Sequence, residues 1–579
     1  MPQAAADNGF GRVSQCFAKA YDAYPQIPAG LLEAVSFTNT RFAHLTDADY
    51  GVCSDGHDMP RSYGLMGLVA DGKGVFRENL HRVSQLSGYD EADILADPEV
   101  NVMAYAAAFA KMMDERGCRS LADCQDVVKE LSELPMKNEG DRFPMDVMLY
   151  SVFYFMGNEG LCSQYGIAKT DIDMRSIFGD KLDYLQAGKV VALRDVDYPG
   201  AVWDPAATCN YGERTEPVTA VVIHDTEGSF AGSVSWFQNC QAGTSAHYVV
   251  RSVDGYVVQM VSEADKAWHA RDANRYAIGI EHEGYASNPA YYTDTMYKSS
   301  AALVKNICDR YDAIGSHFVF YRDTLDDGTA LDYGLHELGG ENPDTGRSYC
   351  TRICGHQHFY NQMHTDPGPY WNWDYYYKLV NRGVTVPEVL EGTAGVFDNH
   401  TAKNYPNSER SLTLIRVPAG KVVKLDFQSF ALEADYDFIW IYDGDNEFAP
   451  LIGRYNTQSP GTVSSSGNVM LIEFRSDCHD TAAGWHSTWS AVDSDGVEDV
   501  KNQLVAIFPN PASQSFRLEL PNGTIASASV MDVCGREVAT VAEFATSTLV
   551  DVSMLNAGVY YVMCFVNNST IRMAKFVKM

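Results

Sequence analysis

Thr219-Ala220-Val221-Val222-Ile223-His224-Asp225-Thr226 is a run of small and β-branched residues that stops at a histidine. A continuous apolar stretch of this length suits a strand buried on both faces. Ala277-Ile278-Gly279-Ile280 is a second run of the same kind, and helical stretches lie between the two. Residues 215–385 are therefore expected to form an α/β domain. Downstream, Cys354-Gly355-His356-Gln357 and His364-Thr365-Asp366-Pro367-Gly368-Pro369 bring further imidazoles and a carboxylate. Two imidazoles and one carboxylate suit a catalytic zinc, which keeps a fourth position for water. The Pro367-Gly368 turn is expected to hold Asp366 in place. His358, two residues past His356, is a rival ligand.

Outward from this segment the character of the chain changes. Residues 11–165 read as helical, with Leu31, Leu32, Val35 and Phe42 at helical spacing and Ala104 to Met112 rich in helix formers. Residues 166–214 read as a connector. Residues 390–495 and 500–579 hold short strands separated by Gly, Ser, Asn and Asp, the pattern of two β-sandwiches. The whole is a multidomain chain.

The 579 residues carry 44 Lys and Arg against 76 Asp and Glu, a net charge of −32. Such a surface repels phosphates, which argues against nucleic acid as a partner. The longest apolar run, Met148 to Met156, is far short of the ~20 residues of a membrane span, so no transmembrane segment is expected. No secretory signal follows Met1, so the protein is expected to be either cytoplasmic or already relieved of its leader. The 13 cysteines are an odd number. Cys118/Cys124 and Cys350/Cys354 are expected as small disulfide loops of an exported protein, since their spacing does not fit a zinc ribbon.

Several motifs of the α/β segment occur in order. Val222-Ile223-His224 is followed by Ser245-Ala246-His247-Tyr248-Val249-Val250, then by Ala267-Trp268-His269-Ala270. Ile278-Gly279-Ile280-Glu281-His282-Glu283-Gly284 comes next, then Gly355-His356 and the His364-to-Pro369 stretch, with Trp371 and Trp373 behind. In these motifs the segment resembles the zinc-dependent N-acetylmuramoyl-L-alanine amidases, the fold of phage amidases and peptidoglycan recognition proteins. The resemblance implies a central mixed sheet and a zinc ion (Zn2+) held by His224, His356 and Asp366. It places Glu281 as general base and His364 as the cation that stabilises the oxyanion. It implies hydrolysis of the amide between N-acetylmuramic acid and L-alanine, with peptidoglycan and its muropeptides as substrate. The alternative is a non-catalytic peptidoglycan-binding or adhesive surface protein. Trp268 and His269 are expected along the substrate cleft, and His247 in the core. Glu283 is expected on the same strand face as Glu281. His282, His317 and His336 receive no role. The stretch Phe318–Tyr349 is additional to a minimal family member and reads as a surface loop.

Three other resemblances complete the chain. Residues 25–165, through Leu31-Leu32-Glu33-Ala34-Val35, Phe42 and Ser62-Tyr63-Gly64-Leu65-Met66-Gly67-Leu68, resemble the lysozyme-like lytic transglycosylases. Asn39 then stands where that family needs its acid, and Glu33 lies six residues upstream, so this helical domain is expected to be inactive. Residues 390–495, through Tyr436-Asp437-Phe438-Ile439-Trp440-Ile441-Tyr442 and Phe474-Arg475-Ser476-Asp477, resemble CUB domains, with Glu433, Asp437 and Asp477 at calcium (Ca2+) positions. Cys478 is alone in that segment, so the usual disulfides are missing. Residues 503–579, from Phe508-Pro509-Asn510-Pro511 to Lys575-Phe576-Val577-Lys578, are similar to the sorting domain of type IX secretion. That implies the type IX machinery as partner, passage through periplasm and outer membrane, and a secreted or surface-attached product.

Overall fold

Runs of β-branched residues next to helix formers settle into a helix-covered sheet in the computed structural model of the chain. The structure describes residues 10–50, 59–136, 142–188, 196–320, 350–359, 363–399 and 403–493. Near the end it describes 506–508, 512, 514–519, 525–532, 537–545, 547–555, 558–566 and 570–578. The expected Phe318–Tyr349 loop, with His336, lies almost wholly outside the described residues, as does the Pro509-Asn510-Pro511 turn.

The N-terminal unit is helical: α1 (Phe10–Ala23), α2 (Leu31–Thr40), α3 (Asn79–Ser87), α4 (Glu91–Ala96), α5 (Pro98–Arg116), α6 (Gln125–Ser132), α7 (Arg142–Gly157) and α8 (Glu159–Tyr165). A two-stranded hairpin, β1 (Ser62–Tyr63) with β2 (Leu68–Val69), sits between α2 and α3. Local chemistry fixes the ends of α5. The Asp97 side chain accepts from the backbone N–H of Glu99 and Val100, Pro98 opens the first turn, and Gly117 at φ 71° closes the last.

The described part of the segment expected as a connector carries regular elements. It holds α9 (Met174–Phe178), α10 (Leu182–Leu185), β3 (Ala201–Trp203) and β4 (Tyr211–Glu213). β3 is an edge strand of the central sheet, so the α/β unit begins ahead of residue 215. Three residues between turn-forming neighbours carry no period for a sequence reading to catch.

The sheet itself adds β5 (Ala220–Asp225), β6 (Tyr248–Val250), β7 (Val257–Gln259), β9 (Ala277–His282) and β10 (Ile353–Gly355), while β8 (Asp265–Ala267) pairs with β4 outside it. The order is β10-β5-β9-β6-β7-β3. β10, β5, β9 and β6 run parallel, and β7 is antiparallel to β6, so the sheet is mixed. Helices α12 (Asp294–Arg310) and α13 (Trp373–Asn381) cover one face. Helix α11 (Phe230–Phe237) covers the other and packs on α7, so this face shares one apolar core with the helical unit.

Polar contacts reinforce that junction. Arg41, at the end of α2, reaches Glu283 at 3.5 Å, with both side chains under 5% exposed. Tyr285 OH donates to Asn39 O at 3.3 Å. Ser252 N also donates to Glu283 at 2.8 Å, so this carboxylate lies past the end of β9 and serves the junction. The expectation that it shares the face of Glu281 is corrected: regular alternation ends with the strand.

Residues 388–493 form two facing sheets. One contains Glu388–Glu391, Arg410–Arg416, Val469–Arg475, Phe438–Tyr442 and Leu451–Tyr455; the other contains Ala394–Asp398, Gly484–Asp493, Lys421–Ala431 and Thr462–Ser464. Against the α/β unit, Tyr377 OH donates to Glu473 at 2.8 Å, Arg410 Nε donates to the same oxygen at 2.7 Å, and Arg410 Nη2 reaches Glu447 at 3.0 Å. The last segment is a smaller β unit around Phe516, Leu518, Val530, Val562 and Phe576.

The disulfide expectations are corrected. Among the described residues the bonds are Cys209–Cys240 and Cys350–Cys478, and the second ties the α/β unit to the β-sandwich across 128 positions. Cys118, Cys124 and Cys354 are buried thiols. Short spacing suggested local loops, but the partner of Cys350 is brought by tertiary docking. Among the described residues no helix is long and apolar enough to cross a membrane.

Candidate active site

Parallel strands in adjacent positions deliver their C-terminal residues to one place, the usual location of a site in an open α/β sheet. His224 on β5 is in register with Glu281 on β9, and His356 follows directly after β10 on the other side of β5. Asp366 arrives from the loop behind. Gln357 N donates to Asp366 O at 2.8 Å, and Gly368 N donates to the Gln357 side chain at 3.0 Å, so the loop is clamped next to His356. A Cβ on Gly355 would lie 2.6 Å from Pro367 Cδ, so only glycine permits this approach.

His224, His356 and Asp366 offer ligand atoms within 4.8 Å of one another, and all three are buried. His224 Nδ1 lies 2.9 Å from one Asp366 oxygen and His356 Nδ1 lies 3.3 Å from the other. Burial lowers the His224 imidazole to about 4 and keeps it neutral, the form that ligates. Asp366 is held well below the usual carboxylate range by His356 and His224 despite its burial. Neutral nitrogens and an ionised oxygen make a donor set that fits a divalent cation of zinc type.

The cavity beside this group measures about 250 Å³ and is lined by Glu281, His364, Trp268 and His269 among others. Glu281 Oε2 is shut from solvent without a hydrogen-bond partner, and burial, then Asp366 and Glu227, raise this carboxyl well above its ordinary range. His364 stacks on His356 with ring centroids 3.9 Å apart. His269 does more than line the wall: its Nδ1 lies 3.0 Å from His224 Nε2. His247 is buried, accepts from Gly279 N at 3.0 Å, and is lowered to about 3 by burial and by Arg214. His358 accepts from Gly355 N and stacks on Phe320, away from the donor group.

Several lining residues were not singled out from sequence. Asp225 directly follows His224 and Glu227 comes three residues after it, and this proximity was a usable signal. Tyr50, Met59 and Arg61 come from the helical unit, and no local pattern marks them.

Away from this cavity, Glu433, Asp437 and Asp477 also bring oxygens within 4.8 Å of one another. Asp437 accepts from Tyr405 OH and from Asp477 N, and burial raises it to about 7. Three hard oxygens suit calcium. In the helical unit, Tyr21 OH donates to the buried Glu33 at 2.6 Å, and Asn39 Nδ2 donates to Met66 O.

A sheet that carries imidazoles and carboxylates at its strand ends marks a hydrolase of metal-dependent type. Residues 214–369 match the family model for N-acetylmuramoyl-L-alanine amidase, residues 388–489 that for the CUB domain, and residues 506–579 that for the secretion system C-terminal sorting domain. N-acetylmuramoyl-L-alanine amidase A of Achromobacter lyticus is 39% identical over 189 residues, which are 32% of this chain and 97% of that protein. The chain belongs to the N-acetylmuramoyl-L-alanine amidase family, and its activity is hydrolysis of that amide in peptidoglycan. Human cubilin is 27% identical over 191 residues, 28% of this chain and 5% of cubilin. A solved Clostridium intestinale amidase is 17% identical, with a TM-score of 0.20 and coverage of 32% of this chain and 99% of its own. The sorting domain links the chain to type IX export.

Proposed function

We propose that His224, His356 and Asp366 hold a zinc ion, with Glu281 and His364 as the working acid–base and oxyanion groups. The convergence of three donors beside the one unpartnered Glu281 oxygen carries this reading. When bound, zinc supplies Lewis acidity and lowers the pKa of water from 15.7 to about 7. Glu281 takes the proton of the attacking water and passes it to the nitrogen of L-alanine as the amide C–N bond breaks. His364 donates to the carbonyl oxygen as it gains charge. His269 holds the tautomer of His224 through the Nδ1···Nε2 bond, and Trp268 flanks the substrate. Glu433, Asp437 and Asp477 take a calcium ion that stiffens the CUB-like unit. The helical unit is a lysozyme-like relic: Asn39 cannot act as an acid, and Tyr285 closes on its carbonyl. The protein is released or surface-attached after type IX export.

Zinc content and muropeptide hydrolysis of the wild type, His224→Ala and Glu281→Ala test the site. His224→Ala is expected to lose both zinc and activity, and Glu281→Ala to keep zinc and lose activity. A wild type that binds muropeptide without cutting it would favour the adhesive alternative.

A further inference from the structure

Part of the wall of the amidase cavity comes from another unit of the chain: Tyr50, Met59 and Arg61 lie beside the hairpin of the helical unit. Arg61 is poised in a particular way. Its guanidinium lies 4.9 Å over the Tyr50 ring and 3.2 Å from Asp47 Oδ1. The Asp47 side chain is 78% exposed, so the pair sits in water, where such a contact orients the guanidinium but binds it weakly. The same wall carries Glu281 and Asp366 and, from the amidase unit, a second guanidinium, Arg271, in a chain of net charge −32. An anionic group entering so acidic a protein is drawn to the cations at the cavity wall.

We propose that Arg61 is a specificity-determining residue, whose guanidinium takes a carboxylate of the peptide attached to the muramoyl group. This rests on the amidase reading of the site. A planar fork matches a carboxylate with two parallel N–H···O bonds, and the Tyr50 contact reduces the freedom Arg61 loses on binding. The helical unit thereby adds its own selection to that of the amidase unit.

The test uses the full chain carrying Glu281→Gln, so that ligand is not consumed. The probes are N-acetylmuramoyl-L-alanyl-D-glutamic acid and the same compound with both glutamyl carboxyls amidated. Calorimetry should show the diacid binding more tightly than the diamide. Adding Arg61→Ala should weaken the diacid roughly 10- to 30-fold and the diamide less than about threefold, while Arg61→Lys should recover part of the loss. Equal losses for both probes, no loss, or no preference for the diacid in the parent would overturn the proposal. Hydrolysis by the unmodified protein is scored separately. If it fails while the preference persists, the amidase reading falls and the carboxylate site stands; the reverse outcome removes Arg61 alone.

Discussion

Gly279→Ala is a one-carbon change predicted to disable the site from behind. Gly279 lies in the middle of β9, and a Cβ there would sit 2.6 Å from Cδ2 and Nδ1 of His269. Cγ of the ring is nearer still, and ordinary contact begins near 3.4 Å, so the ring must move by about 1 Å. Its backbone cannot follow, because His269 N and Ala270 N both donate to Asn274 Oδ1, at 2.9 and 2.6 Å. The imidazole must turn instead and give up its 3.0 Å bond to His224. Overpacking of this kind costs about 1–3 kcal/mol of stability, and losing the outer partner of a ligating histidine costs roughly 10–100-fold in metal affinity. Chelator competition for zinc, with muropeptide hydrolysis alongside, measures the second figure. In a His269→Ala background the added Gly279→Ala should be nearly neutral, within about 0.5 kcal/mol, since the clash has gone. Additive penalties in the double variant, or wild-type zinc affinity in Gly279→Ala, would refute the reasoning.

Other perturbations have equally definite outcomes. Arg410→Met strands Glu473 and Glu447 at the contact with the β-sandwich and should cost about 3–5 kcal/mol by chemical denaturation, against about 1 for Tyr377→Phe, which leaves Arg410 on Glu473. Burial raises Asp204 to about 7 although Gln238 donates to it, so the folded state keeps a proton that the unfolded chain has released above pH 4. Stability from this group therefore falls as pH rises from about 4 to 7 and stays lost above. Asp204→Asn should match wild type at pH 4 and exceed it at pH 8 by roughly 2 kcal/mol, half the full linkage value for a side chain that is not wholly shielded. Equal stabilities at pH 8 would contradict this. Cys478→Ser opens the link to Cys350 and should lower the thermal midpoint under oxidising conditions, by about 3 kcal/mol in free energy, with no effect under reductant.

The strands that matter most were plain in the sequence. Val221-Val222-Ile223 and Ile278-Gly279-Ile280 are long enough and apolar enough to announce buried parallel strands, and the chemistry follows them within a residue or two. The three-residue β3 was invisible because nothing so short has a period. The bridge from Cys350 to Cys478 was equally hidden, since its ends meet only after two units have docked. The same holds for Glu283, whose partner Arg41 is 242 positions away. Residues such as Arg61 enter the cavity by packing, and packing leaves no local trace.

The junction around Arg41 and Glu283 bears on how the enzyme is cut out of its chain. A trimmed version beginning where the amidase match begins would bare the outer side of α11, with Phe230, Val234 and Trp236, to water. It would also strip Glu283 of its counter-ion Arg41. The portable catalyst therefore starts near residue 10, and the N-terminal helices act as its chaperoning half through the apolar core they share with α11.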